Sequence, residues 1–436
     1  MGRIICHSDA NCFFASVEML RNPRLRDVPM AVAGSTEARH GIILAANYPA
    51  KRMGVKTAMA NWEAKRLCPD LVTVKPRTND YLQFSGFLRE IYSEYSDRVE
   101  SFGLDEAWLE LTGCVDSYNQ AELLIDEIRK RIYRELGITV SIGLSFTKTF
   151  AKLGSDIKKP DACISIPKEG FKQIVWPLPV EELLYVGKAT KKKLGDKGIY
   201  TIGDLANADT RYLKTWLGKV GLVLHAFANG EDKSPVNNID FESPVKSIGN
   251  STTCPRDLET DQDVMIVLYA LSESVGARLM ENGFYATTVE LSFVGTNQSF
   301  HFTRQAKLDR PTNISGELAK AGFALFKRHY SHWPAPLRKI GIRGSDLVTT
   351  ANAPPIQLDI YANEEHRVNM ETLESSINHL RRRFGNKIIQ RGIMYLDPVL
   401  SKLDAKKDHV TFPAGVFKED MGVVLGGTGS TLGARR

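Results

Sequence analysis

From the first residues to about position 176, short apolar runs rich in β-branched residues alternate with stretches whose apolar positions recur every three to four residues. The first texture suits a buried strand and the second an amphipathic helix. RIICH at 3–7 reads as a strand and CFFASVEML at 12–20 as a helix, with further strands in MAVAG at 30–34 and GIIL at 41–44. Residues 48–53, 61–67 and 78–95 read as helices, 99–102 and 106–111 as strands joined by a tight Gly-containing turn, and 119–136 as a long helix. TVSIGLS is then a strand, TKTFAKLGS a helix and CISI a strand. This is an α/β or α+β pattern.

At 177 the texture changes to short helices, lysines and glycine punctuation, as in EELLYVGKATKKKLGDKGIYTIGDLA. NGEDKSPVNNIDFESP follows, polar and proline-containing, and reads as a linker. Between 245 and 348 come VKSIGNS, a helix over 264–282, TTVELSFV, SFHFTRQ, a helix over 316–330 and RKIGIRG. The order β-α-β-β-α-β predicts a small split βαβ sheet. Past 353 lie PPIQLDIY, a basic helix through HLRRRFG, and VVLGGTGSTLG, whose composition predicts disorder.

At 436 residues the chain is too long for one core, so several domains are expected. No apolar run is long enough to span a bilayer, and MGRIICHSDA lacks the layout of a signal peptide, so no membrane partner is expected. The six cysteines are scattered without a C-x-x-C pair, which predicts reduced thiols in a cytoplasmic protein and neither disulfides nor a zinc site. The net charge of +6 permits nucleic acid as a partner without demanding it.

SFGLDEAWLEL at 101–111 sets Asp105 and Glu106 side by side in a run otherwise suited to burial. Successive side chains of a regular strand point to opposite faces, so both acids reach one site only if the backbone bends, and Gly103 makes room for that. Asp9, just past the first expected strand, is the third candidate. Three converging carboxylates would repel one another and raise their pKa values unless a hard cation joined them. Each has a plainer reading: Asp9 as a helix N-cap, Asp105-Glu106 as a solvated hairpin tip. Phe13 and Phe14 would by default be core aromatics.

Taken together, HSDANCFFASVE, AANYPAKRMGVKTAM, GLDEAWLE and TVSIGLSFTKTFAKLGSDIKKPD, in that order, resemble the Y-family translesion DNA polymerases, in their DinB and UmuC-like branches, over residues 3–348. The resemblance implies an α+β multidomain right-hand architecture. A palm would span 1–176 with fingers inserted at about 20–77, and a small helical thumb with a helix-hairpin-helix would span 177–232. A linker over 233–244, a β-α-β-β-α-β little finger over 245–350 and a tail over 351–436 would follow. It implies low-fidelity DNA synthesis past damaged bases in an SOS-type repair role, on primer-template DNA and deoxynucleoside triphosphates, by a monomer.

Carried over by position, Asp9, Asp105 and Glu106 would be catalytic and hold two Mg²⁺ with the backbone carbonyl of Ala10. Phe14 would be the steric gate against ribonucleotides, with Phe13 beside it, and Tyr48, Lys51, Arg52 and Lys159 would bind the triphosphate. The family order there is Arg then Lys; this chain has Lys51 then Arg52, and Lys51 is preferred. Ala45 replaces a common hydroxyl residue, Gly103 a common Ser, and Trp108 a usual Tyr. Ile42, Leu44 and Ala58 would roof the templating base. Gly187 keeps one glycine of the hairpin pair while Tyr185 takes the other's place. Lys188, Lys191, Lys192 and Lys193, and on the little finger Arg304, Lys307, Arg338, Lys339 and Arg343, would meet DNA phosphates. Gln357, Leu358, Ile360 and Tyr361 in QLDIY would dock into a sliding clamp. Two rivals are a non-catalytic DNA-binding accessory protein and a nucleotide cyclase, and template-dependent primer extension separates them.

Overall fold

The computed structural model describes residues 2–35, 41–241, 244–296, 300–330, 335–353 and 364–405. The chain divides into two compact units, with the break between Ser243 and Pro244. In the first, five strands pair in the order Val99–Ser101, Glu106–Glu110, Ile5–Ala10, Val140–Ser145, Cys163–Ile166, and the last pair alone is parallel. Every residue of the central strand Ile5–Ala10 is buried. Its alternation sends Cys6 and Ala10 into a core with the helices Phe13–Arg21, Thr78–Ser93 and Tyr118–Leu136, and Ile5 into another with Trp108 and Ala151. The helix Lys148–Ile157 lies directly on that second face, because a Cβ on Gly143 would stand 2.0 Å from the Ala151 carbonyl oxygen.

A small sheet of Ile43–Ala46, Met30–Ala33 and Val72–Val74 forms beside it. The strand expected at 41–44 lies two residues later, and Val72–Val74 is too short to leave a periodic signal. The helices Lys188–Gly195, Ile202–Asn207, Thr210–Leu217 and Lys219–Ala228 share one core with Phe150, Leu153 and Ile166 of the sheet layer.

The polar stretch expected as a linker is, in its first half, fastened to the first unit. Asp232 accepts from Thr149 N and Oγ1 at 3.1 and 2.9 Å, and Arg3 donates to the Ser234 carbonyl at 2.9 Å. The Pro235 carbonyl accepts from Lys148 at 3.1 Å, Asn237 N donates to Glu100 at 2.9 Å, and Val236 is buried. Composition alone does not distinguish polar groups that bond to protein from those that bond to water.

In the second unit the strands Ser247–Leu258, Phe284–Gly295, His301–Thr312 and Leu337–Thr349 and the helices Asp261–Glu281 and Ser315–His329 follow the expected β-α-β-β-α-β order. All neighbours are antiparallel, and each β-α-β pair encloses one inserted strand, which makes the sheet split. The part expected as a tail is folded where it is described. Helix Glu364–Phe384 buries Glu374 and Arg381, and Met394 and Leu400 join the sheet's core. QLDIY and VVLGGTGSTLG lie outside the described residues. Among those described, no helix is long and apolar enough to cross a membrane. None of the six cysteines is in a disulfide.

Candidate active site

Asp9 lies inside the central strand rather than past it, and pairs across the sheet with Glu106. Residues directly opposite on antiparallel strands share a face, so these two carboxylates stand side by side. Asp105 falls in the turn before the Glu106–Glu110 strand, where Gly103 takes φ +88, and its carbonyl accepts from Ala10 N at 2.9 Å. The bend therefore brings both neighbouring acids to Asp9. The N-cap reading of Asp9 fails: Cys12, in the left-handed conformation, precedes the Phe13–Arg21 helix.

Burial pushes Asp9 up to about 6 and Asp105 up to about 7, and the charge on Glu106 adds to both. The charge on Asp9 adds further to the upward shift of Asp105. For Glu106 burial alone would act upward, but contact with His7 and the ammonium of Lys152 hold it down at about 2. His7 itself is driven down by burial to about 4, which leaves the Lys152 ammonium as the cation that faces Glu106. The contacts are 2.5 Å from Lys152 Nζ and 3.2 Å from His7 Nε2, both to Glu106 Oε2. Lys159 Nζ pairs with Asp9 Oδ2 at 2.7 Å. Among the described residues no three His, Cys, Asp or Glu side chains form a ready metal cluster; Asp9 and Glu106 are turned to these lysines instead. Lys152 is a residue the sequence reading missed. It sits one turn below Asp156 in an otherwise ordinary amphipathic helix, and nothing local marks it.

Phe13 is core, at 2% exposed, while Phe14 is half-buried and stacks on Tyr81 with ring centres 4.3 Å apart. Tyr48 is the first residue of the short helix Tyr48–Arg52, not its cap; the cap is buried Asn47, whose Oδ1 accepts from Ala50 N and Met30 N, each at 3.1 Å. The Lys51 ammonium lies 5.0 Å from the Tyr48 ring centre, so both share a face, and Arg52 is exposed. The Tyr48 hydroxyl is buried beside Cys12 and Asp9 and makes no hydrogen bond among the described residues. Burial raises its pKa.

Gly187 is the N-cap of helix Lys188–Gly195, and Tyr185 adopts φ +73, the conformation a glycine would favour. Lys188, Lys191, Lys192 and Lys193 lie on that helix, with Lys191 paired to Glu181. In the second unit, strand alternation puts Lys307, Lys339 and Arg343 on one face with Glu290, which faces Arg343 at 3.6 Å. Arg304 is opposite buried Leu291, and so on the other face, stacked on Phe302 at 4.7 Å. Arg338 falls where the register shifts. The five basic residues are thus not one cluster.

The impB/mucB/samB family matches residues 8–156, and the impB/mucB/samB family C-terminal domain matches residues 245–360. DNA polymerase IV of Acetivibrio thermocellus is 47% identical over 403 residues, covering 92% of this chain and 100% of that protein. DNA polymerase IV of Moorella thermoacetica is 36% identical, over 88% of this chain and 94% of its own. DNA polymerase IV 1 of Bacillus subtilis is 35% identical, over 96% and 98%. A solved Y-family DNA polymerase chimera of Dbh and Dpo4 shares the fold, with a TM-score of 0.70 at 23% identity over 79% of this chain and 99% of its own. With relatives this similar over nearly their whole length, the chain belongs to the Y family of DNA polymerases, in its DinB-like branch, and is a translesion DNA polymerase.

Proposed function

We propose that Asp9, Asp105 and Glu106 are the catalytic carboxylates of nucleotidyl transfer and, with the Ala10 carbonyl, hold two Mg²⁺. The observation that carries this reading is the meeting of buried Asp9 with half-buried Asp105 and Glu106 at one strand crossing, two of the three pushed well above the usual carboxylate range. Hard oxygen donors in mutual repulsion suit a divalent cation, so the donor set fits. When bound, such ions supply Lewis-acid activation of the primer 3′-hydroxyl and neutralise the triphosphate. Lys159, released from Asp9, is then free to grip a phosphate oxygen. The unpartnered Tyr48 hydroxyl has a donor to offer the same group, and burying it without one would cost about 1–3 kcal/mol. Lys51, on the Tyr48 face, approaches as a point charge and Arg52 stands next to it. Phe14 shuts out a 2′-hydroxyl, with Phe13 packed behind.

On the same reading the unit ending at Ser243 comprises palm, fingers and thumb, and the second unit is the little finger. Gly187, Lys188, Lys191 and Lys192 of the thumb, with Lys339 and Arg343 on one face of the little finger's sheet, contact phosphates, and Arg304, on the opposite face, is not among them. Gln357, Leu358, Ile360 and Tyr361 form a clamp peptide, and the enzyme works as a cytoplasmic monomer. A DNA-binding accessory protein would leave the carboxylate cluster without a use.

The test is primer extension with Mg²⁺. Asp105→Asn with Glu106→Gln should lower the rate by at least about 10³-fold at unchanged melting temperature. A double variant that still copies the template at the parent rate would overturn the assignment.

A further inference from the structure

The cations that face Asp9 and Glu106 come from one short segment. Lys152 and Asp156 are one turn apart on the helix Lys148–Ile157, and Lys159 follows two residues past its end. Lys152 Nζ is 2.5 Å from Glu106 Oε2 and 3.7 Å from Asp156 Oδ2. Lys159 Nζ is 2.7 Å from Asp9 Oδ2 and 2.8 Å from Asp156 Oδ1. Each oxygen of Asp156 thus faces a different lysine, and each lysine faces a different proposed catalytic carboxylate. Glu106, Lys152, Asp156, Lys159 and Asp9 form one unbroken chain of alternating charge.

The helix dipole does not explain Asp156, because an acid in the last turn opposes it; among the described residues its partners are the side chains of Lys152 and Lys159, not a backbone N–H. Its place makes sense if the lysines must change partners. Lys159 cannot neutralise Asp9 and grip a triphosphate together, so on loading it must let go of Asp9. A free ammonium on a four-carbon stem would then sample many rotamers, at an entropic cost to binding. Asp156 stays bonded through Oδ1 and limits that sampling, while Oδ2 does the same for Lys152.

We propose that Asp156 is a positioning residue for nucleotide binding, holding Lys159 within reach of the triphosphate while Asp9 exchanges its partner. The inference rests on the reading of Lys159 as a triphosphate ligand.

The test is steady-state insertion of single nucleotides by the full chain, with Asp156→Asn, Lys159→Ala and the double variant. Asp156→Asn should raise KM for the nucleotide about tenfold and leave kcat within about threefold. Lys159→Ala should raise KM by itself, and adding Asp156→Asn to it should change KM less than about twofold. Asp156→Glu should restore most of the loss. A raised KM in Lys159→Ala with an unchanged KM in Asp156→Asn sinks this inference alone. So does an Asp156→Asn effect that persists in full without Lys159. An unchanged KM in Lys159→Ala ends the phosphate reading of Lys159 and this inference with it. The variants' melting temperatures separate any of these from a folding defect.

Discussion

Phe14 owes its orientation to a residue 67 positions away. Tyr81 stacks on it at 4.3 Å and is itself held by a hydrogen bond from its hydroxyl to Glu18 Oε1 at 2.7 Å. The proposed gate is therefore a stacked pair with a buried anchor, and softening the backing should soften it. Phe14→Ala should lower discrimination against ribonucleotides by about 10²-fold, and Tyr81→Ala by about tenfold, with deoxynucleotide insertion less affected. Competition between matched ribo- and deoxynucleotides measures both; full discrimination in either variant would remove that residue from the gate. Phe14 was put forward because a motif carries it. Tyr81, Asn47 and Lys152 were not, because each acts across tens of residues through contacts that no local spacing encodes. Arg304 shows the converse: its charge was legible, but which face of the sheet it occupies depends on register, which pairing alone sets.

At the scale of elements, the helices Asn61–Leu67 and Tyr118–Leu136 and the strand Cys163–Ile166 fall where apolar spacing put them. That spacing failed over Val72–Val74 and over residues 232–237. The second failure matters more, because that strap helps to fix the helix that carries Lys152. Lys148, at its start, is 4% exposed and donates to both oxygens of Glu100 at 2.7 and 2.8 Å and to the Pro235 carbonyl. Its ammonium lies 4.6 Å from the Trp108 ring centre, and the Trp108 indole N–H donates to the Lys148 carbonyl at 2.9 Å. Trp in place of a usual Tyr thus has a use for its N–H. Lys148→Met would strand Glu100 as a buried, unpaired anion, at a cost of about 3–5 kcal/mol. Chemical denaturation should show that loss, and adding Glu100→Gln should recover part of it. An unchanged midpoint for Lys148→Met would mean that water, not the strap, solvates Glu100.

For the whole molecule, the β-α-β-β-α-β order of the second unit was legible, since its strands and helices alternate cleanly. The role of residues 364–405 was not. A basic helix after a polar stretch looks like a solvated tail, yet its buried charges, Glu374 and Arg381, are paired inside the unit. Glu374 accepts from Ser315 N at 2.8 Å and Oγ at 2.7 Å, and Arg381 and Arg391 both pair with Glu273 at 3.0 Å. Met394 is 5% exposed and Leu400 fully buried in the same core as the sheet. Two deletions on either side of position 363 should therefore behave differently. Removing 364–436 strips two core side chains and leaves Glu273 without its arginines, a loss of about 5 kcal/mol or more. The melting temperature should fall, and basal primer extension with it. Deleting 357–361 removes QLDIY and leaves those contacts intact, so melting temperature and basal extension should hold while stimulation by a bacterial sliding clamp disappears. Equal loss of stability in both deletions would make QLDIY a part of the fold. Unchanged stability after the larger deletion would instead return the C-terminal helix to the solvated tail its composition suggested.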